Sequence, residues 1–197
     1  AVDQQGRHAI DVFKIAPDVK LMALYSPEHG IRGQAEAGES VSSERGPIPV
    51  ISLYGDRKRP TRAELDEIDY FLVDLQDVGS RYYTYMATMK ECMAACAEAG
   101  KIVMVLDRPN PIGGTVLEGP IATETGSVVC CAPIPARHGM TMGELALFFL
   151  QTEFSVTKLR VLVSPLDHLD HSRHYGECTL PSLAPSPHIP TPDTPLI

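Results

Sequence analysis

Several short stretches of the chain gather acids, imidazoles, amides and guanidiniums within a few residues of one another. Pro27-Glu28-His29-Gly30 couples a carboxyl to an imidazole beside a glycine that lets the backbone turn sharply. A carboxyl so placed has its pKa raised if burial strips away its water, which suits it to donate a proton. The other role open to it is to tie down its own loop through backbone hydrogen bonds. Asp74, Gln76, Asp77 and Arg81 fall within eight residues. They are equipped either to orient the hydroxyls of a polar ligand or to form a buried ion-pair network. Asp107-Arg108-Pro109-Asn110 offers the same pair of choices, and Glu118, just before Gly119-Pro120, is either a second carboxylate of a site or a solvated loop acid. Arg137-His138-Gly139 precedes a predicted helix start, where free N–H groups and the helix dipole favour an anion such as a carboxylate.

The elements that must position these residues read as alternating strands and helices. Tyr70 to Val73 is a short apolar run of the kind buried on both faces of a parallel sheet, and it runs directly into the acids and then into Arg81-Tyr82-Tyr83-Thr84-Tyr85. LMALYS ends in Pro27-Glu28, PVISL in Tyr54-Gly55-Asp56, and KIVMVL in Asp107-Arg108. If these four strands are parallel neighbours, their polar tips share one rim, which in open α/β sheets is where ligands bind. A weak helix over His8–Ile15 feeds a strand over Val19–Tyr25. Thr61 with Glu64, and Thr141 with Glu144, each form a capping box that opens a helix. Tyr82, Met86, Met89, Met93 and Cys96 recur at helical spacing and predict a face packed on the sheet, ended by Gly100. Lys158–Val163 reads as an edge strand. The glycine-rich, polar stretch Gly30–Gly46 predicts a long loop over the strand tips; its Gly33–Ser40 spacing resembles a phosphate loop, but Glu39 occupies the lysine position and would repel phosphate.

Composition narrows the function classes. A net charge of −8 argues against a nucleic-acid partner, since that affinity rests on neutralising phosphates with Lys and Arg. No apolar run approaches the ~20 residues that span a bilayer. The five cysteines are odd in number and lack paired C-x-x-C spacing, which predicts buried thiols, with Cys92 and Cys96 side by side on a helix face. His168, His171 and His174, with Asp167 and Asp170 among them, raise a metal site, but a helix would spread the imidazoles over an arc of roughly 120°, a poor convergence on one ion. The chain begins Ala1-Val2-Asp3 and ends in a tail with five prolines between Pro185 and Pro195, which excludes helix there and predicts a segment crossing a surface or leading onward. Both ends look cut.

The ordered set SPEHGIRG, SLYG, DLQDVGSRYYTYMATM, VLDRPNPIGG, EGP, RHGMTMGELA and PSPHIPT resembles the bacterial peptidoglycan exo-β-N-acetylmuramidases, a glycoside hydrolase family once classed as a domain of unknown function. The resemblance runs nearly end to end. It implies an α/β, Rossmann-like, mostly parallel sheet with helices on both faces, here over residues 1–180 and lacking its first strand, with residues 181–197 as a proline-rich connection to a second C-terminal subdomain. It implies a sugar bound in the cleft between the two subdomains, peptidoglycan fragments ending in N-acetylmuramic acid as substrate, and a secreted or periplasmic location. His188 stands where the family typically reads Asn in Ser-Pro-Asn.

On this reading Glu28 is the general acid, with Asp77 or Glu118 as the second carboxylate. A pair about 5 to 5.5 Å apart gives retention and a pair roughly 6.5 to 9.5 Å apart gives inversion. The substrate's acetamido group is the other nucleophile open to the reaction. His29, Arg81, Asp107, Arg108, Asn110, Arg137 and His138 are expected to line the sugar site, with Arg137 or Arg81 matching the lactyl carboxylate. No metal or organic cofactor is called for, and oligomeric state is left open. The competing classes are a carbohydrate-binding module on the same scaffold and a metal-dependent hydrolase using the late histidines.

Overall fold

Phe71 and Val73 alternate with Tyr70 and Leu72 along one strand, and this period of two decides which side of the sheet is core. The structure is a computed structural model that describes residues 2–3, 5–39, 43–178, 181, 183–191 and 194. Its elements run α1 (Ala9–Ile15), β1 (Leu24–Ser26), β2 (Val50–Ser52), α2 (Arg62–Asp66), β3 (Tyr70–Val73), α3 (Tyr85–Ala99), β4 (Ile102–Leu106), α4 (Met142–Thr152) and β5 (Arg160–Ser164), with a 3₁₀ turn at Tyr175–Glu177. All strand pairings between these elements are parallel: β1 with β2, and β3-β4-β5 in that order. This is the α/β, mostly parallel architecture expected. Of the proline tail, Pro192 and Pro195 lie outside the described residues.

The register aligns Phe71 with Val103 and Val161, and Val73 with Val105 and Val163. Onto this row pack Met86, Met89, Met93 and Cys96 of α3 and Leu145, Ala146 and Phe149 of α4, all buried in one apolar cluster. The methionine stripe is therefore core. Tyr82 is not part of it: α3 starts only at Tyr85, and the Tyr82 ring is 55% exposed. Cys92 and Cys96 are buried free thiols, and burial raises both pKa values, that of Cys96 to about 12.

Two expectations need correction. Tyr70–Val73 is buried on one face only, because α3 and α4 both cover the Phe71 side; Tyr70 (48% exposed), Leu72 (37%) and Leu162 (39%) share the open side. The four strands also do not form one ladder. β1 is only three residues long, beginning at Leu24 instead of Val19, and it meets β3 through a Tyr25–Phe71 ring contact at 5.3 Å.

Both capping boxes form as their sequences predict. Thr61 accepts from Glu64 N–H while Glu64 accepts from Thr61 N–H, and Thr141 and Glu144 do the same. Asp107, at the end of β4, reinforces the second: Thr141 Oγ1 donates to its Oδ2 (2.8 Å) and Gly143 N–H to its Oδ1 (2.7 Å). The start of α4 is thus fastened to the tip of β4. Lys90 ties α3 to α4 by pairing with Glu153 at 2.7 Å and donating to the Cys131 carbonyl. Among the described residues no helix is long and apolar enough to cross a membrane.

Candidate active site

Beyond β1 the chain turns at once, and His29 adopts a left-handed φ of 70°. That conformation is uncommon for a residue with a side chain and costs on the order of 1–3 kcal/mol. It is held by His29 Nδ1, which donates to the Ala35 carbonyl (2.8 Å); because a carbonyl only accepts, the ring proton facing it sits on Nδ1. Glu28 beside it is 7% exposed. Thr84 Oγ1 donates to its Oε2 (2.7 Å), Gly38 N–H to its Oε1 (3.1 Å), and the Tyr54 hydroxyl is a further donor.

Burial pushes the Glu28 pKa up, but the bonds from Thr84, Gly38 and Tyr54, with the neighbouring His29, together outweigh it and hold the carboxyl below its ordinary value. This corrects the expected raised acid. The loop and α3 supply enough donors to keep the group ionised near neutral pH. Glu28 also performs the blander task weighed for it, since its bond to Gly38 ties down the loop.

At the tip of β3, Asp77 is 1% exposed and its Oδ2 accepts from Gly79 N–H (2.8 Å). His138, 2% exposed, brings Nε2 to 3.1 Å from the same oxygen, off the alignment of a hydrogen bond. Its Nδ1 accepts from Met140 N–H (3.2 Å), so the ring proton is on Nε2. Asp77 Oδ1 and His138 Nε2 are both buried without a hydrogen-bond partner. Gly79, at φ 81°, is required here, because a Cβ would collide with Asn110 and Ile112.

Tyr83 and Tyr85 flank Thr84 in the chain and pack against His29. Their rings lie 4.5 Å apart, Tyr83 stacks near His29 at 6.2 Å and an interplanar angle of 16°, and Tyr85 lies 6.3 Å from His29. Burial raises the Tyr83 pKa, with the charge of Asp77 among the smaller causes, and burial carries Tyr85 to about 12. Tyr54, Tyr83, Thr84 and Tyr85 were not among the expected site residues. The signal was in the sequence: three tyrosines and a threonine directly after the acid-rich tip of β3, and Tyr54 at the tip of β2.

The remaining expected residues lie on the same rim but are largely occupied. Asp107 has both oxygens filled by Thr141, Gly143 and Arg108 N–H. Arg108 pairs with Asp74 at 3.2 Å, and Gln76 reaches the Pro109 carbonyl (3.1 Å), linking the tips of β3 and β4. Asn110, 3% exposed, donates to Met140 O and accepts from Ile112 N–H. Arg81, 5% exposed, clamps the carbonyls of Pro120 (2.8 Å) and Ile134 (2.5 Å) and meets the Tyr82 hydroxyl, which leaves only its Nε without a partner. Arg137 donates to Ile112 O and pairs at 2.8 Å with Glu118, whose side chain is 62% exposed. Backbone bridges set Arg137 beside both Ser80 and Glu118, so these residues adjoin the Asp77–Arg81 segment. The late histidines part company: His171 Nε2 lies 3.0 Å from Glu144, and His174 caps the 3₁₀ turn. Among the described residues no three His, Cys, Asp or Glu side chains converge as metal ligands.

A family model described as the N-terminal part of the exo-β-N-acetylmuramidase NamZ matches residues 1–193. The chain is 45% identical over 194 residues to the peptidoglycan β-N-acetylmuramidase NamZ of Bacillus subtilis (strain 168), which covers 96% of this chain and 46% of that protein. It is similar to the crystal structure of a DUF1343 family protein from Bacteroides fragilis NCTC 9343, with a TM-score of 0.87 and 38% identity over 98% of this chain and 50% of the other. A second DUF1343 structure from the same organism gives a TM-score of 0.75 and 36% identity, over 94% of this chain and 49% of that one. The chain thus spans about half the length of the relatives it matches. With the family model extending over nearly every residue that carries the rim described above, the chain belongs to the NamZ N-terminal family.

Proposed function

We propose that the chain is the Rossmann-like part of an exo-β-N-acetylmuramidase that removes N-acetylmuramic acid from the non-reducing end of peptidoglycan fragments. The observation that carries this reading is the buried Glu28 carboxylate at the end of β1, bonded by Thr84 at the start of α3, with the buried Asp77 on the same β3–α3 connection that runs through Tyr83 into Tyr85. Glu28 is the residue on which turnover depends. Held ionised, it offers negative charge to the oxocarbenium-like centre that forms as a glycosidic bond breaks. Asp77 is the deeper acid, with His138 Nε2 3.1 Å from its Oδ2. Arg137 is better suited than Arg81 to the lactyl carboxylate, because its present partner, Glu118, is an exposed carboxylate that a substrate carboxylate can replace in kind. Arg81 instead commits its Nη1 to two backbone carbonyls and its Nη2 to the Tyr82 hydroxyl.

The test is Glu28→Gln in the full-length protein, assayed on a chromogenic muramic acid glycoside. The expected loss of kcat is on the order of 10²–10³-fold with binding of a muramic acid ligand retained. Near wild-type turnover would remove Glu28 from the reaction, and sugar binding without release of free sugar by the wild-type protein would favour a binding module.

A further inference from the structure

Glu28 and His29 are each fixed by the loop that follows them, through Gly38 N–H and the Ala35 carbonyl respectively. Residues 33–38 contain no helix or strand of their own. What lies against them comes from the far end of the chain. The carbonyls of Ala184 and Pro185 approach Gly33 so closely that a Cβ there would stand 2.7 and 2.9 Å from them. The Pro185 carbonyl also accepts from the Tyr85 hydroxyl (2.7 Å), and Ser186 is 2% exposed. His188 Nε2 lies 2.9 Å from Glu36 Oε2, an exposed pair that adds little.

The two attachments meet on one carboxylate. Gly38, on the loop pressed by the segment at Gly33, donates to Glu28 Oε1; Thr84, the neighbour of Tyr85, donates to Oε2. We propose that Ala184–His188 is a positioning strap that clamps the Gly33–Gly38 loop to the start of α3 and so fixes the Glu28 carboxylate for the glycosidase reaction. The proposal rests on the function proposed above. Pro185 and Pro187 suit the role, since a segment with preset φ angles has less freedom to lose when it is laid down.

Two variants of the full-length protein test it. Tyr85→Phe deletes one hydroxyl and keeps the buried ring; Gly33→Ala inserts a methyl against two backbone carbonyls. Gly33 sits at φ +66°, so Gly6→Ala, at φ +76° with nothing within 4 Å, controls for the strain that any side chain suffers there. Loss of one hydrogen bond predicts amide exchange at Gly38 faster by roughly 3- to 10-fold, a kcat lower by a similar factor and a KM little changed. The acid limb of the kcat/KM profile moves to higher pH as Glu28 loses its donors. The double variant loses no more than the worse single one, because both act on the same segment. Gly38 exchange unmoved in both variants of an active enzyme would overturn the strap. Faster Gly38 exchange in a protein with no muramidase activity would uphold the strap's grip on Glu28 and sink the proposed reaction instead.

Discussion

Glu28 shows how far the charge state of one side chain follows from its neighbours. Its lowered pKa makes a signed prediction for stability: the group contributes fully above the ordinary glutamate value of 4.5, and that contribution fades as pH falls through the folded value. Denaturant unfolding of wild type and Glu28→Gln should therefore differ most at neutral pH and converge in acid. Thr84→Val removes the donor to Oε2, so the acid limb of kcat/KM should move up in pH while the fold persists. Asp77 behaves differently, because it is almost wholly enclosed. Asp77→Ala strands the Gly79 N–H in a dry setting, with an expected cost of about 1–3 kcal/mol in unfolding experiments. Glu28, His29, Asp77 and His138 stood out in the sequence as acids and imidazoles at strand tips and a helix start, and the structure buries all four. Their partners were not legible there. Gly38, Tyr54 and Thr84 lie 10, 26 and 56 residues from Glu28, and nothing local in the sequence says which donor will face which oxygen.

Elements were read most reliably where the signal is local. The capping boxes at Thr61 and Thr141 follow from four consecutive residues, and the methionine face of α3 from helical spacing. Thr141→Ala should cost about 0.5–2 kcal/mol as a lost cap, and should exceed Thr61→Ala because Thr141 also supports Asp107. Met93→Ala, in a fully enclosed part of α3, should cost about 2–5 kcal/mol by leaving a cavity. Reading failed where an element's meaning depends on what lies across from it. Asp107 looks like a ligand residue in isolation, yet its oxygens fasten β4 to α4. Tyr70 and Leu72 look like interior strand residues, yet both large helices chose the opposite side.

At the scale of the molecule, parallel pairing brings the ends of β3 and β4 to a shared rim, while the Tyr25–Phe71 ring contact and the Glu28–Thr84 bond bring the end of β1 up to the β3–α3 connection. The α/β class and this convergence could be read from strands alternating with helices. The separation of β1 and β2 from the main sheet could not, because ladder continuity depends on backbone alignment between short strands. On the family resemblance, the 197 residues expressed alone should turn over a muramic acid glycoside far more slowly than the full-length protein; equal turnover numbers would show that this part suffices.

The buried thiols carry one more consequence. Cys92 and Cys96 are enclosed on the core face of α3 and Cys131 is buried with its pKa pushed up to about 11, so none of the three offers an accessible thiolate to an alkylating reagent. Cys130 and Cys178 are only partly covered. Maleimide chemistry should therefore decorate those two natural positions first, giving a ready pair of attachment points for fluorophores or spin labels without engineering the sequence.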